Sequence, residues 1–233
     1  NQYFAEMCAI IFRRGGIIDK FLGDAIMAEF GIPVDTDNHA DQAVLAALEM
    51  QDGLDKLRLK WAAAGCPEFH SRIGINTDNM IVGNIGSPDI FDYTVIGDGV
   101  NLASRLEGIN KRYGTAIIIS ENTYACLSKQ LFRCRLLDLV IVKGKSRPIK
   151  IYEVYGRMDQ SIDRDREIFY NRYNRAFEDY LAGQFESAKK HLEKALSLNS
   201  TDQAALDLIG RVDQLIDRPL PDNWDGSIQL TEK

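Results

Sequence analysis

Apolar residues recur every three or four positions in 3–12 (Tyr3, Phe4, Met7, Cys8, Ile11, Phe12), which predicts a helix stopped by Gly15-Gly16. Residues 17–30 form two short apolar runs joined by Leu22-Gly23-Asp24, the signature of a hairpin. A long amphipathic helix follows over 37–64, with Ala43, Val44, Ala47, Met50, Leu54, Leu57 and Trp61 inward, and Gly65 and Pro67 end it. The alternation in 70–77 and 80–85 predicts a second hairpin, and 86–93 a loop leading to the short run Thr94-Val95-Ile96. Gly97-Asp98-Gly99 opens another helix, reaching Tyr113, whose expected apolar face is Val100, Ala103, Leu106 and Ile109. A strand over 115–120, a short helix over 121–129 and a final hairpin of 136–142 with 149–155 complete this part. Hairpins outnumber strand–helix–strand units, so the class is α+β rather than a doubly wound sheet.

After Gly156 the pattern turns helical over 163–218, with breaks at Gly183 and Asn199-Ser200 and with Pro219 and Pro221 closing the last helix. Three regions are therefore expected: 1–156, a helical extension over 157–218, and a short polar tail over 219–233. Within the extension, residues 173–200 resemble one tetratricopeptide-type helical hairpin, with Ala176, Tyr180, Gly183, Phe185, Ala188, Leu192, Ala195 and Leu196 at its packing positions. One such unit cannot bury a continuous core. It needs either its own neighbouring domain or a protein partner to pack against.

Composition then removes several classes of function. The 233 residues are 45% hydrophobic and 27% charged, ordinary for a folded chain. With 28 Lys and Arg against 34 Asp and Glu, the net charge of −6 lacks the basic excess of a nucleic-acid binder. No apolar run approaches the roughly 20 residues needed to span a bilayer, so no membrane contact is expected from this segment. Cys8, Cys66, Cys126 and Cys134 form no CxxC pair of a zinc site and His39, His70 and His191 are scattered, and a chain of this length without a secretory signal favours reduced thiols over disulfides.

Candidate chemistry collects in a few places. Asp24 sits at a hairpin tip between apolar strands, a hard oxygen ligand on a stiff support that suits Mg²⁺. Lys20, four residues earlier among Ile18 and Phe21, is either a snorkelling side chain or a donor aimed into a pocket. Asn101 and Arg105, spaced i, i+4, share a helix face. Their helix opens from a glycine-rich turn with Asp98 placed to cap it, a combination suited to phosphate. Lys143-Gly144-Lys145 adds two cations in a hairpin turn.

The blocks Asp19-Lys20-Phe21-Leu22-Gly23-Asp24-Ala25-Ile26-Met27-Ala28-Glu29-Phe30-Gly31 and Tyr93-Thr94-Val95-Ile96-Gly97-Asp98-Gly99-Val100-Asn101-Leu102-Ala103-Ser104-Arg105-Leu106-Glu107 closely resemble the class III nucleotidyl cyclases. Gly74-Ile75-Asn76-Thr77, Val82-Gly83-Asn84-Ile85-Gly86 and Val142-Lys143-Gly144-Lys145 agree with them in order, over residues 1 to about 156. The resemblance implies a ferredoxin-like cyclase fold, an antiparallel sheet with helices packed on it. It also implies conversion of ATP or GTP to the cyclic 3′,5′-monophosphate and pyrophosphate, with two Mg²⁺ or Mn²⁺ ions per site. By the same resemblance Asp24 is the second of two metal aspartates, Asn101 orients the ribose and Arg105 stabilises charge on the α-phosphoryl group. Lys143 binds the terminal phosphates, and Lys20 and Thr94 select the purine. Lys20 donates to adenine N1, where guanine carries a proton. Many adenylyl members have Asp where this chain has Thr94, and Thr recurs in a bacterial-type subgroup. The expected substrate is ATP, with guanylate cyclase and a non-catalytic nucleotide-binding or dimerisation subunit as alternatives. Sites shared across a homodimer are implied, Asp24 coming from one subunit and the other five residues from its partner.

The family's first metal aspartate lies on a strand ahead of the helix that begins here, so the chain is expected to be an N-terminally truncated piece with little activity alone. The run Pro219-Leu220-Pro221-Asp222-Asn223-Trp224-Asp225-Gly226 resembles the C-termini of membrane-anchored bacterial sensor cyclases. It implies a cytoplasmic catalytic region with a sensory domain upstream.

Overall fold

The fold is described from a computed structural model covering residues 1–144, 147–216, 218–220 and 224–230. Lys145 of the basic turn and Pro221, Asp222 and Asn223 of the C-terminal motif lie outside the described residues. The chain divides into two compact units, Asn1–Glu107 with Ala116–Lys129, and Gly108–Thr115 with Gln130–Lys233.

The first unit opens with α1 (Gln2–Arg13), the hairpin β1 (Ile17–Leu22) and β2 (Ala25–Glu29), and α2 (His39–Ala63). These match the periodicity in kind and nearly in extent. Met7, Ile10, Ala46 and Leu54 form a core lined further by Tyr3, Ile26, Phe30, Met50, Leu57, Trp61 and Phe69. The expected second hairpin is not formed. β3 (Ile73–Ile75) pairs parallel with β6 (Ile117–Ser120), and β4 (Ile81–Gly86) pairs antiparallel with β5 (Phe91–Ile96). Parallel neighbours need a crossover between them, here carrying α3 (Asp98–Tyr113), and no local alternation in β3 signals so distant a partner. The expected loop over 86–93 shrinks to a turn, closed by Ser87 N–H donating to the Ile90 carbonyl at 2.8 Å. The following helix, α4 (Glu121–Cys126), is shorter than its pattern suggested and is capped by Ser120, whose Oγ accepts from the Thr123 N–H at 3.2 Å.

The second unit contains the long hairpin β7 (Phe132–Ile141) and β8 (Ile149–Arg157), helices α5 (Arg164–Leu181), α6 (Phe185–Leu196) and α7 (Gln203–Leu215), and β9 (Ile228–Gln229). Gly183, at φ +72°, makes the turn between α5 and α6. Ala176, Tyr180, Phe185, Ala188, Leu192 and Ala195 are all buried. Two internal ion clusters hold the helices to the hairpin. Arg135, with a side chain 1% exposed, donates to Glu153 at 2.5 Å and reaches Asp202 through two nitrogens at 3.2 and 2.8 Å. Asp202 also caps α7, accepting from the Ala205 N–H at 2.8 Å. Asp138, fully buried, accepts from the Tyr113 hydroxyl at 2.6 Å and from Arg211 at 3.2 and 2.8 Å. β9 pairs parallel with β7, and Trp224 stands edge-on to Tyr180 and Phe185. The extension thus packs on the β7–β8 hairpin. No described helix is long and apolar enough to cross a membrane.

Candidate active site

The placement of α3 begins with a missing side chain. A Cβ at Gly74 on β3 would lie 2.3 Å from both the Ala103 carbonyl and the Glu107 nitrogen, so only glycine lets helix and strand backbones approach so closely. Asn76 donates from Nδ2 to the Gly99 carbonyl at 3.1 Å, fixing the helix start, and Arg72 meets Glu107 at 2.9 Å further along. Leu102, Leu106, Asn110 and Tyr113 are the buried side chains of α3, whereas the expected Val100, Ala103 and Ile109 are half-buried. The stripe is rotated because the line of contact runs along backbone at Gly74, which turns Leu102 and Leu106 inward. Asn101 remains exposed and Arg105 half-exposed, and neither has a hydrogen-bond or ion-pair partner among the described residues.

A different mechanism shapes β1. Ile18 pairs with Ala28 and Lys20 with Met27, so Asp19 is an extra residue, a β-bulge. An uninterrupted strand would send Asp19 and Lys20 to opposite faces. The bulge lets them meet, with Lys20 Nζ 3.3 Å from Asp19 Oδ1. Asp19 Oδ2 accepts from the Thr94 hydroxyl at 2.5 Å, joining β1 to β5. The Asp19 side chain is 2% exposed, while that of Lys20 is 37% exposed. Burial pushes the Asp19 carboxyl up, but its hydrogen bonds with Thr94, Glu29 and Lys20 outweigh that and hold it below the usual carboxylate range. Glu29 shows the opposite balance: burial, then its hydrogen bond to Asp19 and the Asp19 charge, push it up to about 7. Across the β4–β5 ladder Thr94 faces Gly83, where a Cβ would meet nothing within 4 Å.

Asp24 occupies the β1–β2 turn behind Gly23, which takes φ +66°. Its exposed carboxylate lines a hollow of about 430 Å³ with Asn1, Tyr3, Phe4, Trp61 and Phe69. Among the described residues no group of three or more His, Cys, Asp or Glu stands ready to hold a metal. A single open carboxylate still fits Mg²⁺, which keeps waters and takes substrate phosphate oxygens as its remaining ligands. Lys143 is exposed in the β7–β8 turn of the second unit. Of the six expected site residues, the structure brings Lys20 and Thr94 together around Asp19. Asp24 is in its own hollow, and Asn101 and Arg105 share α3.

Residues 1–156 match the family of adenylate and guanylate cyclase catalytic domains. The chain belongs to that family. An adenylate cyclase of Anabaena cylindrica is 42% identical over 160 residues, which is 66% of this chain and 31% of that protein. The adenylyl cyclase CyaB of P. aeruginosa shares its fold at a TM-score of 0.61 with 39% identity, over 70% of this chain and 81% of that one. The guanylyl cyclase Cya2 also aligns at 0.61, with 35% identity, over 68% of this chain and 79% of that one. The α+β cyclase fold is thereby shown, while adenylyl and guanylyl structures resemble it equally. The chain spans less than a third of the length of the curated relatives it matches.

Two residues of this cyclase domain escaped the sequence reading, Asp19 and Glu29. Asp19 stands beside Lys20 in the sequence, but a period-two reading sends it to the other face. Only the bulge reveals it. A carboxylate flanked by a lysine in an apolar strand was the available signal, and Glu29 at the far end of the same hairpin carried none.

Proposed function

We propose that this chain is the catalytic region of an adenylate cyclase, joining the ribose 3′-oxygen of ATP to the α-phosphorus. The α–β phosphoanhydride bond breaks, the 3′-hydroxyl proton leaves, and 3′,5′-cyclic AMP and pyrophosphate result, in cyclic-nucleotide signalling. The observation that carries this reading is the meeting of Lys20 and Thr94 at Asp19. Adenine presents an acceptor, N1, beside a donor, its 6-amino group. An ammonium beside a hydroxyl oxygen complements that edge. Guanine presents N1–H where adenine has the N1 acceptor, so it opposes the ammonium, and it replaces the amino donor with a carbonyl.

On this reading Asn101 orients the ribose and Arg105 offsets charge growing on the α-phosphoryl oxygens, the type of contribution that dominates phosphoryl transfer. Their lack of partners among the described residues leaves them available. Lys143 holds the terminal phosphates until pyrophosphate leaves. Asp24 is a ligand for Mg²⁺ or Mn²⁺, the second of the two metal aspartates that the resemblance implies. When bound, such ions acidify the 3′-hydroxyl and neutralise the polyphosphate.

The active unit is a homodimer whose sites lie between subunits. Support comes from apolar side chains left open on two hairpins of the first unit: Phe21, Leu22, Ile90, Phe91 and Tyr93 are all more than half exposed. The full-length gene product, assayed with Mn²⁺ and either nucleotide, is expected to form cyclic AMP faster than cyclic GMP, and Lys20→Glu to lower that preference at least tenfold. Formation of cyclic GMP as the main product, or an ATP preference untouched by Lys20→Glu, overturns the reading.

A further inference from the structure

We propose that Asp19 is a positioning residue for base selection: by accepting the hydrogen bond of the Thr94 hydroxyl, it makes Thr94 an acceptor toward the purine. The inference rests on the base-reading role of Thr94 and Lys20 given above and extends it to a residue that itself need not touch the nucleotide.

A threonine hydroxyl has one proton and two lone pairs, so by itself it reads donors and acceptors alike. A purine-selecting position built on it would discriminate poorly between the adenine amino group and the guanine carbonyl. Here the ambiguity is removed from behind. Asp19 Oδ2 lies 2.5 Å from Thr94 Oγ1, and an ionised carboxylate can only accept, so the hydroxyl proton is committed inward. The lone pairs of Oγ1 are what remain for a ligand. Thr94 is 8% exposed, and on the facing strand its neighbour is Gly83, which puts no side chain beside it.

The same carboxylate orients the second reader. Oδ1 lies 3.3 Å from Lys20 Nζ, which uses one of three ammonium protons and leaves two for a ligand. One buried carboxylate therefore sets a donor and an acceptor in fixed relation on neighbouring strands. The β-bulge exists at the one position where it makes this possible, because in regular pleat Asp19 would face away from Lys20. The surroundings favour the ionised form of Asp19: its hydrogen bonds with Thr94, Glu29 and Lys20 hold its carboxyl below the usual carboxylate range, and Glu29 is the carboxyl of that pair pushed up.

The substitution Asp19→Asn separates this role from simple packing, being nearly isosteric. The amide oxygen still accepts from Lys20, but the amide nitrogen donates to Thr94, so the hydroxyl proton swings outward and Thr94 becomes a donor suited to the guanine carbonyl. The experiment measures kcat/KM for ATP and GTP with the full-length protein, together with competition of each nucleotide against a fluorescent ATP analogue. Asp19→Asn is expected to lower the ATP:GTP ratio at least about tenfold, through KM more than kcat. Adding Thr94→Asp to Asp19→Asn restores it, because a carboxylate at position 94 accepts whatever stands behind it. A merely structural role predicts equal losses for both nucleotides and no rescue, and either result overturns the proposal. If Asp19→Asn fails to fold, Thr94→Val and Thr94→Ser decide: loss of the ratio in the first with retention in the second supports the proposal, and an unchanged ratio in Thr94→Val refutes it. A wild-type protein that prefers GTP refutes the ATP reading, while the Asp19 role is still judged by whether Asp19→Asn shifts the ratio toward GTP.

Discussion

Polar side chains in the two compact units differ in where they find partners. In the second, ionic groups are neutralised inside: Asp138 is fully buried against Arg211 and Tyr113, and Arg135 lies between Glu153 and Asp202 over the ring of Tyr173, 4.6 Å from its centroid. In the first, Asn101, Arg105 and Asp24 stand at the surface without hydrogen-bond or ion-pair partners among the described residues, and large apolar side chains stand open on two hairpins. A charge that has its partners within the fold is committed to structure. One left unpaired on a rigid support is available to a ligand. The contrast ties the buried ion clusters of the second unit to structure and the open side chains of the first to the proposed chemistry, and it can be attacked from both sides.

The largest effect is expected from the closed cluster. Asp138→Asn leaves the buried Arg211 guanidinium without its counter-charge and should cost about 3–5 kcal/mol of stability, read by urea unfolding, with little change in turnover per folded molecule. A protein of unchanged stability would dissolve the contrast. The open side of the comparison is tested by Arg105→Ala, which should lower kcat about 10²- to 10³-fold while unfolding as the wild type does. A loss of activity explained by unfolding would instead make Arg105 structural.

A smaller effect tests Glu29, a partly buried carboxyl of the first unit. Glu29 is raised from 4.5 to about 7, so the folded state binds its proton more tightly than the unfolded chain does. Its contribution to stability is fully present below about 4.5 and is lost as pH rises through about 7. Between those values the melting temperature should fall with rising pH in the wild type relative to Glu29→Gln, whose amide keeps a donor toward Asp19 at every pH. Parallel pH profiles in the two proteins would contradict the shift.

Much of this architecture was legible in advance. The helices follow from apolar spacing, and the β1–β2 and β7–β8 hairpins from local runs with short turns. Pairing at a distance was not legible. The three residues of β3 look like half of a hairpin, and only the fold shows that they belong beside β6, with Gly74 admitting α3. At the site, Lys20, Thr94, Asn101, Arg105, Asp24 and Lys143 could be nominated because type and spacing carry over from the cyclase pattern. Asp19 could not, since its place depends on one extra residue in a strand, and a bulge leaves no mark on hydrophobic alternation.

The central claim is that Asp24, Asn101 and Arg105 are left open because a second copy and a nucleotide complete them. Mixing experiments test it most directly. Full-length chains carrying Asp24→Ala and chains carrying Asn101→Ala should each be inactive, yet when co-refolded they should recover about one quarter of wild-type cyclic AMP formation, since half of the random dimers carry one intact site out of two. No recovery in the mixture, with dimers present, would contradict the account.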